Sequence, residues 1–491
     1  MPITSLPFDH TYARELPGFY APCQPASVRA PLLLFFNHSL SEELRLGLAG
    51  QDDAALAALF SGNALPAGAQ PIAQAYSGHQ FGHFSPQLGD GRALLIGEVI
   101  DRHGLRRDIA LKGSGRTPFS RNGDGKAAVG PMLREVLMGE AMHALDIPTT
   151  RALAVVATGE AVFRERTLPG AVLTRVAASH LRVGTFQYIS AHGSLEQVRQ
   201  LADYAIARHE PECQEAANRY LGFLRAVAER QAALIARWMH VGFIHGVMNT
   251  DNMGIPGETI DYGPCAFMEA YDPGAVFSSI DEMGRYAYQA QPRIARWNLA
   301  RLAETLLPLL AEAEGQAIEL ATEVIDAFPA RYQHHWLAGL RAKLGLSGPG
   351  DDDAALGESW LDLLHAQQVD FTLAWRRLAD AAEGNEAPLR ALFAGQPGLE
   401  RWLQRWRERC AAEPAVQDRA ARMRRTNPWL IPRNHRVEEA LAAASDEGDL
   451  TLFEQLLHAL RQPFDEDPAL ARYAEPASGA FMAEFRTFCG T

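Results

Sequence analysis

The chain has 491 residues, of which 47% are apolar and 21% charged, which is typical of a soluble globular protein but too long for a single hydrophobic core. Its 46 basic and 59 acidic residues give a net charge of −13, which argues against sequence-independent nucleic-acid binding because such binding needs a basic surface. Five scattered cysteines without a Cys-x-x-Cys pair, and no apolar run long enough for a signal peptide or a membrane span, predict a cytoplasmic protein without a membrane segment.

The first part of the chain has mixed periodicity. Alternating apolar residues predict strands, and apolar residues at helical spacing predict helices between them. The predicted elements, in chain order, are a helix at 42–60, strands at 93–99 and 108–112, a glycine-rich loop at 113–130, a helix at 132–145, and strands at 152–157, 161–164 and 171–176.

The later part is mainly helical. Residues 195–209 and 215–238 predict amphipathic helices, and the chain from 281 onward is rich in Ala, Leu and Arg. This order, a β-rich part with one helix followed by a helical part with a polar loop, predicts an α+β, protein-kinase-like bilobal fold. The predicted regions are an N-terminal extension at 1–75, a β-rich N-lobe at 76–185, a helical C-lobe at 186–345 and a helical C-terminal extension at 346–491.

A lysine and a glutamate stand where a kinase-like nucleotide site requires them. Lys112 ends a predicted strand and Glu135 lies on the next helix. In kinases such a lysine binds phosphate oxygens and the glutamate holds it in place. The chain has neither a Walker A loop nor a dinucleotide-binding glycine fingerprint. Because this Lys–Glu pairing is also common elsewhere, the prediction depends on the downstream motif.

The downstream motif is the polar segment at 245–252 followed by Asp-Tyr-Gly at 261–263. In kinases the corresponding pattern is H-R-D-x-x-x-x-N and D-F-G, whose Asn and second Asp hold Mg²⁺. Asn252 and Asp261 stand in register with these two ligands. The catalytic aspartate of a kinase is replaced by Val247, which cannot accept a proton.

Val247 leaves three hypotheses open. The fold is a silent nucleotide-binding scaffold, or it is an ordinary phosphotransferase in which Asp251 replaces the missing base. Alternatively, the reacting phosphorus lies elsewhere in the nucleotide and Asp251 serves as the base there.

Several segments resemble the YdiU/SelO (selenoprotein O) family. The matching segments are 76–83 (YSGHQFGH), 88–92 (LGDGR), 111–121 (LKGSGRTPFSR), 245–252 (HGVMNTDN), 261–264 (DYGP) and 427–435 (NPWLIPRNH). The resemblance implies a pseudokinase fold that binds ATP flipped relative to kinases. It also implies transfer of AMP to Ser, Thr or Tyr side chains of proteins. Transfer of UMP with manganese is also associated with bacterial members of the family.

The resemblance further implies roles for individual residues. Lys112, supported by Glu135, would bind phosphate, and Arg175 and Arg182 would clamp the outer phosphates. Asn252 and Asp261 would bind Mg²⁺ (or Mn²⁺), Asp261 would also contact the nucleotide, and Asp251 would accept the proton. The rest of the nucleotide site would be lined by Gly89, Gly91, Arg92, Asp124 and Gly125. On residue type alone, Arg175 and Arg182 would instead be surface arginines.

Two cysteines suggest a redox hypothesis. Cys489 stands where some family members carry selenocysteine, and Cys265 follows the Asp-Tyr-Gly-Pro segment. We consider a redox-sensitive bridge between them, with an inert tail thiol as the alternative.

Overall fold

The computed structural model describes residues 5–413 and 418–488, apart from the side chains of residues 396 and 397. These residues form an α+β structure, which confirms the predicted fold class at that level. The strands are β1 (Tyr20–Pro22), β2 (Leu32–Phe36), β3 (Ile72–Gln74), β4 (Gly78–Gln80), β5 (His83–Ser85), β6 (Ala93–Ile100), β7 (Arg106–Lys112), β8 (Ala127–Ala128), β9 (Arg151–Phe163), β10 (Thr167–Ala177), β11 (Phe243–Ile244) and β12 (Ala266–Phe267).

Helices dominate the second half of the chain. They are α1 (Thr11–Glu15), α2 (His38–Glu43), α3 (Asp53–Phe60), α4 (Val129–Ala144), α5 (Val183–His192), α6 (Leu195–His209), α7 (Arg219–Val241), α8 (Gln291–Leu310), α9 (Glu314–Lys343), α10 (Asp353–Gln367), α11 (Phe371–Ala382), α12 (Ala387–Arg390), α13 (Gln396–Ala411), α14 (Arg419–Thr426), α15 (Asn434–Ala442), α16 (Thr451–Leu460), α17 (Ala471–Ala474) and α18 (Gly479–Glu484).

The main sheet is antiparallel, with strand order β1-β3-β6-β7-β10-β9-β2 and β8 paired to β10. Alternation along its strands supplies two hydrophobic clusters. Val155 and Leu173 face the main core beneath α4, whereas the adjacent Val156 and Val172 face a smaller cluster beneath α2 and α3. A period of two along a strand therefore covers both faces of the sheet with apolar contacts.

The predicted helix at 42–60 is wrong as a single element. The structure has α2 and α3 there, separated by a loop. Arg45, Gly47 and Gly50 in this loop all adopt positive φ, which interrupts helical hydrogen bonding. Similarly, the strands predicted at 152–157 and 161–164 are one strand, β9, with a bulge in its pairing to β10.

The C-terminal helices return to the sheet and pack against α4. Helices α15 and α16 both contact α4. Glu140 of α4 is buried and accepts hydrogen bonds from Arg461, at 2.8 Å and 3.1 Å, and from Arg151 at 2.6 Å. Arg134 of α4 forms an ion pair with Glu438 of α15 at 3.1 Å. Helix α4 is thus held both by β9, through Arg151, and by the C-terminal helices α15 and α16.

Across residues 5–413 and 418–488, we find no helix with the length and apolar character needed to cross a bilayer.

Candidate active site

A cleft of about 460 Å³ lies between the main sheet and the helical part of the chain. It brings together residues that are widely separated in the sequence. Its lining includes Gly89, Gly91, Arg92, Lys112, Asp124, Gly125, Glu135, Arg175, Arg182, Asp251, Asn252 and Asp261. Cys265 does not line the cleft, and Cys489 falls outside the described residues.

Asp261 is half-buried and lies at the centre of an ion cluster whose other members are buried. Its Oδ1 accepts hydrogen bonds from Lys112 Nζ and Arg175 Nη1, both at 2.7 Å. Lys112 also forms an ion pair with Glu135, whose other oxygen lies 3.9 Å from Arg175 Nη1. Burial opposes ionisation, but the charges of Lys112 and Arg175 lower the pKa of Asp261 well below its usual value. Asp261 has φ of 63°, and such left-handed non-glycine residues concentrate at functional sites.

The two arginines predicted to clamp phosphates are not surface residues, since each is 3% exposed. Arg182 donates to the Asp251 carbonyl at 3.1 Å, and its guanidinium lies 4.5 Å from the centre of the Tyr76 ring. Its Nη1 is 4.0 Å from Asp261 Oδ2. Sequence reasoning missed Tyr76, although it begins one of the family segments, because nothing in a lone tyrosine indicates an arginine partner far along the chain.

Asp251 is a buried carboxyl with one oxygen unengaged. Its Oδ2 accepts from Gln80 Nε2 at 3.3 Å, whereas Oδ1 has no hydrogen-bond partner among the described residues. A Cβ on Gly78 would collide with Oδ1, so the glycine allows the carboxyl to sit there. Burial raises the pKa of Asp251 to about 6. An ionised carboxylate with a spare oxygen at the edge of a cleft has the properties of a proton acceptor.

The loop carrying Asp251 is held from several sides. The imidazole of His245 is buried and lies 2.9 Å from the Ile260 carbonyl, which links the two motif segments. The Tyr286 hydroxyl donates to Asn249 Oδ1 at 2.6 Å. Asn249 and Tyr286 were also missed by the sequence analysis, because polar residues in loops are too common to single out.

Asn252 and Asp261 present a donor set that fits a hard divalent cation. The Asn252 amide nitrogen donates to the Val247 carbonyl at 3.0 Å. Within the described chain, neither the Asn252 amide oxygen nor Asp261 Oδ2 accepts a hydrogen bond. The same part of the chain has no group of three or more His, Cys, Asp or Glu side chains that could hold a metal ion. The pair therefore suits Mg²⁺ or Mn²⁺, whose remaining ligands come from phosphate and water.

Glycines shape the opposite wall. Gly89 has φ of 87°, and a Cβ there would overlap the Phe119 ring. Gly125 has φ of 69°, and a Cβ there would overlap the backbone of Gly115. Both positions therefore require glycine for close approach as well as for conformation.

Asp124 is engaged within the protein. Its carboxylate binds Arg164 through two hydrogen bonds, at 2.9 Å and 3.0 Å, and also accepts from the Lys126 amide at 2.9 Å. The Arg164 hydrogen bond lowers the pKa of Asp124. Arg164 lines the cleft and was not predicted from the sequence.

Cys265 is a buried free thiol. It donates to the Tyr262 carbonyl at 3.2 Å, and burial raises its pKa to about 12. The C-terminal segment passes nearby, since Thr487 Oγ1 donates to the Pro264 carbonyl at 2.6 Å. The thiol is therefore protonated and shielded from solvent in this state.

Comparisons with known proteins match the chain over almost its whole length. The family model described as "Protein adenylyltransferase SelO" matches residues 2–461. A protein named protein nucleotidyltransferase YdiU from Chromobacterium violaceum is 61% identical over 478 residues, covering 97% of this chain and 100% of that protein. Proteins with the same name from Cereibacter sphaeroides and Rhizobium rhizogenes are 61% and 58% identical, covering 99% of this chain and 99% and 97% of their own lengths.

Proposed function

The chain belongs to the SelO/YdiU family of protein nucleotidyltransferases, and on that premise we propose that it transfers AMP from ATP to Ser, Thr or Tyr hydroxyls of proteins. The observation that carries the proposal is Asp251. Its carboxyl is buried beside the ion cluster, while Val247 occupies the position of a kinase base. A site with cations, a metal-ligand pair and a displaced carboxylate suits chemistry at a phosphorus other than the γ-phosphorus.

The proposal includes a kinase-like organisation with a flipped nucleotide. In it, residues 76–185 form the β-rich lobe, 186–345 the helical lobe, and 1–75 and 346–491 are extensions. The antiparallel sheet, with α4 inserted between β8 and β9, and the helical region after β10 support this division.

Charge neutralisation is the main task of the cleft. Lys112, Arg175 and Arg182 would bind the phosphate oxygens of ATP, and Glu135 would hold Lys112 in place. All three cations are nearly buried, so their interactions with phosphate are little screened by solvent. Asn252 and Asp261 would hold Mg²⁺, which supplies further positive charge at the phosphates.

Asp251 would accept the proton of the acceptor hydroxyl. The hydroxyl oxygen forms a bond to the α-phosphorus, and the bond from that phosphorus to the bridging oxygen breaks. The proton passes to Asp251 and pyrophosphate leaves, so atoms and charge balance. Because positioning and electrostatics contribute most to such a transfer, a carboxylate of pKa about 6 is a sufficient base.

The glycine-lined wall would receive the rest of the nucleotide. Gly89, Gly91, Arg92 and Gly125 lie there, with Asp124 fixed by Arg164. UTP with Mn²⁺ is a second nucleotide–metal pair that the same oxygen ligands could accommodate.

The test is to incubate the protein and a bacterial lysate with ATP labelled at the α-phosphate and, in parallel, at the γ-phosphate. We expect protein labelling from the α-position only. It should be lost in Asp261→Ala and kept in Asp352→Ala, which removes an exposed carboxylate far along the chain. Labelling from the γ-position alone would instead show a phosphotransferase. Binding of ATP without labelling would show a silent scaffold.

A further inference from the structure

Two arginines share one indole ring beside the hairpin formed by β4 and β5. The Arg285 and Arg301 guanidinium carbons lie 4.8 Å and 5.0 Å from the centre of the Trp297 ring, and the His79 ring packs edge-on to it at 5.2 Å. Within the part of the chain that the structure describes, Arg301 has a carboxylate partner, Glu304 at 2.6 Å, whereas Arg285 has none. The Arg285 guanidinium therefore has no direct ion-pair partner, in a chain of net charge −13.

Arg285 is held in place by its surroundings. The Asp281 carboxylate accepts from the backbone amides of Arg285 and Tyr286 at 2.9 Å and 2.8 Å. The guanidinium carbon lies 3.4 Å from the point that a Cβ on Gly82 would occupy, so it rests on the hairpin turn. Its Nε is buried and has no hydrogen-bond acceptor among residues 5–413 and 418–488. The side chain also hydrogen-bonds the Tyr286 hydroxyl, but no carboxylate pairs with it among the described residues. A stacked, oriented guanidinium without a carboxylate partner is prepared for an external carboxylate.

The hairpin links this arginine to Asp251. Gln80 in the hairpin contacts Asp251, and Gly82 follows two residues later. A Cβ on Gly78 would collide with Asp251 Oδ1, so the first residue of the hairpin lies against that carboxyl. Four residues lead from Gly78 to Gly82, the glycine under the Arg285 guanidinium, and at up to about 3.3 Å each they span at most roughly 13 Å. An extended peptide advances by the same distance per residue, so a substrate side chain that reaches Arg285 lies within about four residues of the acceptor.

We propose that Arg285, stacked on Trp297, binds the side chain of an Asp or Glu located within four residues of the acceptor hydroxyl in protein substrates. The inference rests on the proposed AMP transfer, because it is that reaction which brings a polypeptide to Asp251. The planar fork of arginine matches a carboxylate through two parallel hydrogen bonds. Ile280 and Met283, 48% and 92% exposed, lie on the same segment and offer apolar contact to the rest of the peptide.

The experiment uses the full chain and peptides that carry Ser, Thr or Tyr as acceptor. At each position from four residues before to four after the acceptor, the peptides carry Asp, Asn or Lys. Transfer from α-labelled ATP gives kcat/KM for each peptide. The wild-type protein should prefer Asp to Asn by roughly tenfold at one position within four residues of the acceptor, as expected for a charge-assisted hydrogen bond.

Variants at Arg285 separate charge from fold. Arg285→Gln should abolish the preference, Arg285→Glu should reverse it towards Lys, and Arg285→Lys should retain part of it. Because the result is a ratio between peptides, a general loss of activity does not imitate it. Arg405→Glu, a change at an exposed arginine of α13, should keep the wild-type ratio.

Two results would overturn the inference. The first is labelling without an acidic preference at any position in the wild type, and the second is an unchanged Asp-to-Lys ratio in Arg285→Glu. Either leaves the proposed AMP transfer intact. Absence of α-label from every peptide and every lysate protein, in contrast, overturns the proposed function and this inference with it.

Discussion

Lys343 at the end of α9 is a buried cation among aromatic rings. It is 2% exposed, and its Nζ lies 4.8 Å from the centre of the Trp375 ring and 5.8 Å from that of Phe371. Within the described residues no carboxylate forms an ion pair with it, and burial lowers its pKa from 10.5 to about 7. His240 is also buried, and burial together with the charge of Lys343 lowers its pKa to about 3. We therefore expect replacement of Lys343 by Met to stabilise the protein.

The size of this stabilisation and its dependence on pH follow from the linkage between proton binding and folding. The folded-state pKa is lower than the unfolded-state pKa, so the unfolded chain binds more protons between about pH 7 and pH 10.5, and stability rises with pH in that window. At about 1.4 kcal/mol per pKa unit, the full shift corresponds to a loss of roughly 5 kcal/mol in the free energy of unfolding, which is an upper bound. Local relaxation and the two cation–π contacts reduce the expected loss to about 2–4 kcal/mol. Lys343→Met removes this cost at neutral pH. Its advantage should shrink by up to about 1.4 kcal/mol for each pH unit above 7.

The assay is thermal unfolding of wild type and Lys343→Met at pH 7, 8 and 9, with the same scan rate. The chain has three lysines, and Lys126→Met serves as the matched control. The side chain of Lys126 is 38% exposed and forms an ion pair with Glu160. The Lys343 variant should melt several degrees higher at pH 7, with the gap narrowing towards pH 9. A lower melting temperature at pH 7, or a gap independent of pH, would refute the reasoning that the buried ammonium is destabilising.

Three further predictions concern the site and its supports. Asp251→Asn should reduce AMP transfer by about 10²–10⁴-fold with little change in ATP affinity measured by calorimetry, and an unchanged rate would exclude it as the base. Arg461→Ala should lower stability by about 1 kcal/mol, seen as a lower melting temperature, because Glu140 of α4 loses one of its two arginine partners; an identical melting curve would show that α16 does not brace α4. If Cys265 and Cys489 form a redox-sensitive bridge, mass spectrometry of oxidised protein should find them linked and Cys265→Ser should prevent it, whereas two free thiols would exclude the bridge.

The sequence predicted best those elements whose pattern is long and locally terminated. The amphipathic pattern over 195–209 matches α6, since Ser194 caps its first turn and the apolar positions repeat at helical spacing. The hairpin of β6 and β7 matches because a short turn separates two apolar runs. Strands β1 and β3 were not predicted. Each has three residues, and their pairing depends on partners that three residues cannot encode.

The residues of the candidate site also fall into those that the sequence predicted and those that it did not. Lys112, Asn252 and Asp261 were recognisable because their spacing follows a chemical motif, and the structure places all three in one cleft. Tyr76 and Arg285 gave no such signal. Their neighbours, Arg182 for the former and Trp297 for the latter, become visible only once the chain has folded. Motif spacing records chemistry, whereas side-chain stacking between distant elements is a property of tertiary packing.

The bracing of α4 by the C-terminal helices has a consequence for synthesis of the chain. Glu135 lies on α4, and two other residues of α4 have partners late in the chain. Arg134 contacts Glu438, 304 residues further on, and Glu140 contacts Arg461, 321 residues further on. At about 5–20 residues per second, the ribosome needs roughly 15–60 s to supply them after α4 emerges. During that interval the candidate cleft lacks the side chains that hold α4 from the C-terminal region. The order of the chain thus delays assembly of the complete cleft until translation is nearly finished.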